Sequence, residues 1–447
     1  MSNGQGVLLQ RHRHRIHSLP KAGLWLALCI AIPGNSAAFD VDYEVGLSVR
    51  RSDNINLSEF DPVSDTVLSP QLRFETIEEG PRLQVAARGD VRYLHYTGDT
   101  FDNDVRSTFA GKLNWNVLPG RLDFVVQDYL SSQPVDELRA LTPDNEQQAN
   151  VFIAGPTLHA RFNAVTRAQL DLRYTNSYAQ NNDDFNGDRY DAAVRLLRRT
   201  SALQTVSLNA EATRAEFDTI GAVSGYRSRS GYVGYETNRN KVDANIALGH
   251  TRLTMDDNGG GESGALVRAT VDWRLTPRSL LTVTARNQLT DATQSIITPT
   301  LDLERQNFGD FRLRDVSIRP NPFREQMLRM RYQHTGERLT TRLVPYVRRV
   351  RYLDGLTVDQ TRRGALAEIE YRLRPRLSLS LLGLKEHRKY TDLDRKDEDS
   401  AFSIGLVNRF TRHWTGRVDL QRRQRDSTVV GRSHEADSVM LSLYYQR

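Results

Sequence analysis

Apolar and polar residues alternate with a period of two from Phe39 to the end of the chain, in segments of about 10–15 residues. Val41, Tyr43, Val45, Leu47 and Val49 share one face, and Leu83, Val85, Ala87, Gly89, Val91 and Tyr93 share another. The same pattern recurs in Val105, Phe109, Gly111, Leu113, Trp115 and Val117, and in Ala265, Val267, Ala269, Val271, Trp273 and Leu275. It returns in Phe402, Ile404, Leu406 and Phe410, and last in Val439, Leu441, Leu443 and Tyr445. Successive strand side chains point to opposite faces, so this periodicity predicts half-apolar β-strands.

The connections alternate as well. Short turns fall near Glu79–Pro81, Leu118–Gly120, Asn163–Val165, Thr200–Ser201, Asn238–Asn240, Thr276–Arg278, Thr335–Glu337, Arg374–Arg376 and Thr411–His413. Longer polar loops lie between them, among them Ala179–Gly187, Asp218–Gly225, Thr254–Glu262, Lys389–Lys396 and Arg425–His434. Strict short–long alternation is the layout of a transmembrane antiparallel up-and-down β-barrel, with tight periplasmic turns and long external loops. The fold class expected is therefore all-β, with about 20 strands, 18 being the alternative. Aromatic residues agree. Trp115, Phe162, Trp273, Tyr371, Phe410 and Trp414 fall beside short turns, as do Tyr235 and Tyr332, and Tyr445 lies near the C-terminus on the same side. They predict a membrane girdle at the periplasmic interface.

Residues 1–38 read differently. Arg11, Arg13, Arg15 and Lys21 precede the apolar run Ala22–Pro33, and small residues Ser36-Ala37-Ala38 follow. This is the pattern of a secretory signal peptide cleaved near Ala38, and the run is too short to span a bilayer as a helix. Residues 39–447 then form a single barrel domain. The sole cysteine, Cys29, lies in the leader, so no disulfide framework or Cys-ligated metal is expected. Localisation in the outer membrane of a Gram-negative bacterium follows.

Composition fits that reading. Only 38% of residues are hydrophobic and the mean hydropathy is −0.55, lean for a soluble core of 447 residues but adequate where only the lipid-facing half of each strand must be apolar. The net charge of +6 belongs largely to the leader, and residues 39–447 carry 57 basic and 55 acidic groups. Without a basic stripe interleaved with aromatics, nucleic acid is not an expected partner. Of the 61 basic residues six are lysines, leaving 55 arginines.

The polar parity of the strands predicts the lumen. It reads Arg82, Arg88, Asp90 and Arg92 on one strand and Arg167, Asp171 and Arg173 on another. Arg268, Asp272 and Arg274 follow, then Arg362, Glu368, Glu370 and Arg372, then Arg417, Asp419 and Arg423. Mixed charge predicts cross-strand Arg–carboxylate pairs and a wet passage, or equally a ladder that braces the wall. A barrel this wide needs a plug or it conducts. Two long segments are candidates: Ser132–Gln147, where Pro134 could open a short helix, and residues 292–321. The second carries Asp302, Glu304, Arg305, Asp310, Arg312 and Arg314 as constriction candidates.

No zinc-protease, nucleophile-elbow, Walker or dinucleotide motif occurs, and the histidines of residues 39–447 are scattered singly. No metal, cofactor or enzymatic activity is expected. Expected partners are outer-membrane lipid and lipopolysaccharide. The C-terminal strand Leu443–Arg447 resembles the signal read by the barrel assembly machinery, although Arg447 stands where an aromatic residue is usual.

The start Phe39-Asp40-Val41-Asp42-Tyr43-Glu44-Val45-Gly46-Leu47, followed by Ser52-Asp53-Asn54-Ile55, resembles a family of porin-like outer-membrane β-barrels associated with exopolysaccharide and PEP-CTERM (exosortase) systems. The resemblance implies a role in export or surface handling of polysaccharide, with export components as partners, and carries over no functional residue. A channel, a structural or assembly barrel that binds surface polymer, and an outer-membrane enzyme are the readings to weigh.

Overall fold

The computed structural model describes residues 40–218, 225–256, 260–293, 296–297 and 321–447. The leader and residues 298–320, with Asp302, Glu304, Arg305, Asp310, Arg312 and Arg314, lie outside them.

Twenty strands follow one another: β1 (Val41–Ser52), β2 (Asp65–Glu79), β3 (Leu83–Tyr96), β4 (Asp104–Leu118), β5 (Leu122–Pro134), β6 (Glu146–Arg161), β7 (Thr166–Ala179), β8 (Gly187–Ser201), β9 (Gln204–Phe217) and β10 (Gly225–Asn238). They continue as β11 (Val242–Met255), β12 (Gly261–Thr276), β13 (Ser279–Thr290), β14 (Phe323–Thr335), β15 (Leu339–Tyr352), β16 (Gln360–Arg374), β17 (Leu377–Tyr390), β18 (Arg395–Arg409), β19 (Trp414–Ser427) and β20 (His434–Gln446). Every pairing is antiparallel and between sequence neighbours, and β20 returns to β1 in register from Glu44↔Gln446 to Ser52↔Ser438. Tyr43 and Arg447 exchange backbone hydrogen bonds of 3.2 and 3.0 Å at the seam. The ring is closed, which is what a β-protein in hydrocarbon requires, since an open edge would leave peptide groups unpaired.

The expected alternation of connections holds except between β17 and β18, where Thr391–Asp394 is no longer than the turns Phe162–Val165 and Phe410–His413. The turn expected at Thr200–Ser201 lies two residues later, at Ala202-Leu203, because β8 and β9 pair as far as Ser201↔Gln204. The loop expected over Lys389–Lys396 shrinks to Thr391–Asp394, because the Tyr390↔Arg395 pair extends both strands.

The outward parity is apolar and solvent-exposed in the isolated chain, as for Val45, Leu47, Leu208, Val233, Leu248, Leu406 and Leu441. That surface is lipid-facing. Trp115, Phe162, Trp273, Tyr371, Phe410 and Trp414 are exposed at the short-turn end, where Tyr445 stacks with His413 and meets Trp414 edge-on. The buried apolar residues form no single core. Among the described residues most of them gather in four small clusters at the long-loop end, seeded by Ile55–Val67–Tyr96, Tyr129–Val151–Phe185, Tyr226–Leu253–Met255 and Phe323–Val350–Tyr352. Most lie on the lumen parity, which makes them an apolar collar just inside the external mouth.

Candidate functional site: an arginine-lined lumen narrowed by two loops

The inward parity follows from register alone. Thr157↔Asp171↔Ala193↔Glu211↔Ser230 runs across five strands, and side chains directly opposite share a face. Below the collar these positions are charged. Thr157 donates to Asp171 at 2.8 Å, Gln169 donates to both Asp171 oxygens at 3.0 Å, and Arg173 reaches Thr157 at 2.6 Å. Arg189 pairs with Asp191 at 3.0 Å, and Thr213 donates to the same carboxylate at 2.6 Å. Arg268 joins Glu211 at 3.2 Å and donates to Gln288 at 2.9 Å, and Tyr232 donates to Glu211 at 2.6 Å. Gln288 in turn donates to Glu325, which Arg348 also holds at 2.8 Å.

This network encloses a cavity of 720 Å³ along β4–β13, lined by Arg173, Arg189, Arg195, Arg268 and Arg286 and by Asp171, Asp191 and Glu211. Arg195 differs from its neighbours. Its Nε lies 3.6 Å from Asp171, beyond hydrogen-bond reach, and has no hydrogen-bond partner.

The sequence-derived lumen set sorts by depth. Arg88, Asp90 and Arg92 are inward on β3, and Asp90 accepts from Arg73 at 2.7 Å. Asp272 takes a 2.5 Å bond from Thr282, and Arg274 pairs with Asp243 at 2.5 Å near the short-turn end. Glu368 pairs with Arg342 at 2.9 Å, while Arg362 is buried and donates to Gln360. Glu370, Arg372 and Arg167 are exposed towards the periplasmic mouth, and Arg423 faces inward opposite Ala401 and Ala436. Arg82 is not on a wall strand. It lies in the exposed turn between β2 and β3, where its carbonyl accepts from Asn116.

The pairing differs in kind from the cross-strand expectation. Cross-strand pairs occur, as in Arg73–Asp90, Arg342–Glu368 and Arg348–Glu325. Many of the tightest bonds instead run two residues along one strand: Arg395–Asp397 at 2.6 Å and Arg417–Asp419 at 2.5 Å. Register explains the second. Asp419 stands opposite Gly405 and Met440, and Arg417 opposite Val407 and Ser442, so the nearest partner sharing the face is two residues away.

Two segments narrow the external mouth. The first joins β5 to β6. Glu137, three residues beyond β5, accepts from Gln360 on β16 at 2.7 Å, and its carbonyl accepts from Tyr390 on β17 at 3.3 Å. The Leu138 carbonyl accepts from Arg395 on β18 at 2.8 Å. These three contacts make the loop a strap that reaches the far wall. No helix forms after Pro134. The Asn145 side chain donates to the carbonyls of Asp136 and Ala140 and accepts from the Asp136 amide, so polar groups close across the neck of the loop and not along a helix. A 3-10 turn follows at Pro143–Asn145. There partial burial raises the Asp144 carboxyl, but the Thr142 hydroxyl and Arg139 outweigh it and hold it below the usual range.

The second segment opens the long connection after β13. Asp291 is buried, accepts from Tyr226 at 2.6 Å, lies 3.3 Å from Arg189 and accepts the Thr293 amide. Ala292 and Ile296 then pack against Tyr129, Val151, Ala179 and Phe185 of the β5–β8 side.

The residues that fasten the straps, Glu137, Gln360, Tyr390, Arg395 and Asp291, were not singled out in the sequence. Gln360, Tyr390 and Arg395 keep the inward parity but gain a role only from a loop more than 200 positions away, and no spacing rule shows that. Among the described residues no cluster of three or more His, Cys, Asp or Glu side chains is arranged to hold a metal ion.

Residues 360–447 match the family described as "Putative beta-barrel porin 2". None of the curated proteins matches the sequence. Among solved structures, the apoprotein form of the FrpB iron transporter of Neisseria meningitidis superposes over 93% of this chain and 82% of its own, with TM-score 0.48 and 9% identity. The ferric enterobactin receptor of Pseudomonas aeruginosa covers 92% and 81%, with TM-score 0.45 and 9% identity. OccK2 of the same organism, in complex with glucuronate, covers 91% and 98%, with TM-score 0.37 and 10% identity.

Proposed function

We propose that this chain is an outer-membrane channel for polar and anionic solutes, acidic saccharides foremost, which serves export or surface handling of exopolysaccharide. Residues 1–38 act in this reading as its cleaved export signal. The observation that carries the reading is the arginine-rich cavity, lined by Arg173, Arg189, Arg195, Arg268 and Arg286. A guanidinium presents a planar fork of donors that fits a carboxylate or neighbouring hydroxyls. The interleaved Asp171, Asp191 and Glu211 offset part of that positive charge. A passing anion then meets several weak sites and no trap, as conduction requires.

The test is swelling of liposomes that contain the purified barrel. Galacturonate should enter faster than galactose, and Arg195→Gln with Arg268→Gln should remove that preference while galactose entry persists. Equal entry of the two sugars in the unaltered protein would contradict the anion preference.

A second reading, a barrel that binds surface polymer without transport, draws on the two segments that cross the mouth. Failure of either sugar to enter through a correctly folded barrel would favour it. Neither reading includes a catalytic step.

A further inference from the structure

The outer wall is asymmetric in a way that the lumen does not explain. On β15–β18 the outward positions are apolar from the periplasmic end upward: Leu343, Pro345 and Val347; Ile369, Ala367 and Ala365; Leu377, Leu379 and Leu381; Leu406, Ile404 and Phe402. Beyond that band they become basic. Arg349 follows Val347, Arg363 precedes Ala365, Lys385, His387 and Lys389 follow Gly383, and Lys396 is the second residue of β18. All six are exposed. Three of the chain's six lysines therefore stand on one outward patch. At the periplasmic end of the same strands the outward wall residues are Leu339, Tyr371 and Leu377, and the arginines there, Arg338, Arg374, Arg376, Arg409 and Arg412, lie in or beside the turns.

Register brings the cations together. Arg349, Thr361, Lys389 and Lys396 stand opposite one another on four successive strands, and Arg363 stands opposite His387. Neighbouring strands are about 4.8 Å apart, so the row spans roughly 14 Å. Lys385 and His387 both contact Glu398. Among the described residues, Arg349, Arg363, Lys389 and Lys396 have no carboxylate within ion-pair distance. The loop carboxylates Asp359, Asp392 and Asp394 lie past the strand ends, farther from the apolar band.

We infer that this face binds a phosphorylated glycolipid of the outer leaflet, with its acyl chains on the apolar band of β15–β18 and its headgroup phosphates on Arg349, Arg363, Lys389 and Lys396. Long loops mark the external side of an outer-membrane barrel, so the patch sits at the headgroup level of that leaflet. Clustered cations directly above an apolar surface suit an amphiphile with an anionic head. A free phosphate would have no use for the apolar band. The inference is independent of what passes through the lumen.

The experiment titrates the full barrel in detergent with fluorescent diphosphoryl lipid A, read by anisotropy. Dephosphorylated lipid A, phosphatidylglycerol and inorganic phosphate are competitors. Diphosphoryl lipid A should displace the probe at least 10-fold better than the dephosphorylated form, and inorganic phosphate should not displace it at equal concentration. Removing four cations together (Arg349→Ser, Arg363→Ser, Lys389→Ser, Lys396→Ser) should weaken binding roughly 100-fold or more. Single Lys389→Gln and Lys396→Gln variants, each expected to weaken it several-fold, keep the test valid if the quadruple variant fails to fold. Unchanged affinity in folded variants, or equal competition by dephosphorylated lipid, would overturn the site. Displacement by inorganic phosphate or equally by phosphatidylglycerol would overturn the glycolipid as its occupant.

Discussion

Replacing Glu137 by alanine should loosen the strap that crosses the external mouth without disturbing the barrel wall. Glu137 is buried, and its carboxylate makes one far-wall contact, the 2.7 Å bond from Gln360. The two backbone contacts, from Tyr390 to the Glu137 carbonyl and from Arg395 to the Leu138 carbonyl, do not need the side chain. A hydrogen bond to a charged group contributes about 1.5–3 kcal/mol. Its loss should shift the docked-to-undocked ratio of the strap by roughly 10- to 100-fold, with docking still favoured by the remaining pair. Tyr390→Phe removes the 3.3 Å bond to the strap, along with a 3.2 Å bond that the hydroxyl accepts from Arg388 within the wall, and should shift docking by less, about 0.5–1.5 kcal/mol. Single-channel recording reads the difference as time spent in a larger conductance level, ranked Glu137→Ala, then Tyr390→Phe, then the unaltered protein. Residues 40–447 contain no cysteine, so Glu137→Cys with Gln360→Cys offers one defined pair for a short bismaleimide. Joining it should abolish the larger level. A folded Glu137→Ala barrel with the same level distribution as the unaltered protein would refute the strap as the constriction.

Further outcomes follow from the same contacts. Asp419→Ala strips the buried Arg417 guanidinium of its two-point acceptor and should destabilise the barrel by about 3–5 kcal/mol, read as a lower temperature of the heat-induced mobility shift in gels. Gly249→Ala should prevent assembly, because a Cβ there would lie 2.1 Å from the Gly231 carbonyl and 2.4 Å from Tyr232 Cβ, and yield of folded protein measures it. Trp115, Trp273 and Trp414 are outward at the short-turn end, so brominated lipids should quench them from a single shallow depth, and quenching at two depths would contradict the girdle. Asp291→Asn should free the root of the connection after β13 and raise proteolysis just beyond it, since Tyr226 and Arg189 both anchor that carboxylate.

The wall was legible because a strand in a barrel obeys a local rule. Period-two alternation assigns Val45 and Leu47 outward and Ser48 and Gly46 inward without knowledge of any partner strand, and the short turns count the strands. The aromatic girdle is equally local, since each ring sits beside its own turn. Polar parity likewise puts Asp171, Arg173, Arg268 and Asp419 on the inward face. Failures began where parity stopped deciding. Arg82 continues the parity of β3 but falls in the turn. Tyr96, Tyr226, Leu253 and Tyr352 break the rule that inward means polar, because strand ends at the external mouth pack against folded-in loops and not against water. The strap contacts join Glu137 to Gln360, Tyr390 and Arg395 across the barrel. Nothing in the spacing of a single sequence records a pairing at that separation.

The most direct test of a conducting, anion-accepting lumen is single-channel current from residues 39–447 in a planar bilayer, with an acidic oligosaccharide added to one side. Stable conductance steps, transiently blocked by the acidic oligosaccharide and not by its neutral counterpart, are the predicted result. A correctly folded, heat-modifiable barrel that carries no current, or whose current ignores the charge of the sugar, would contradict it.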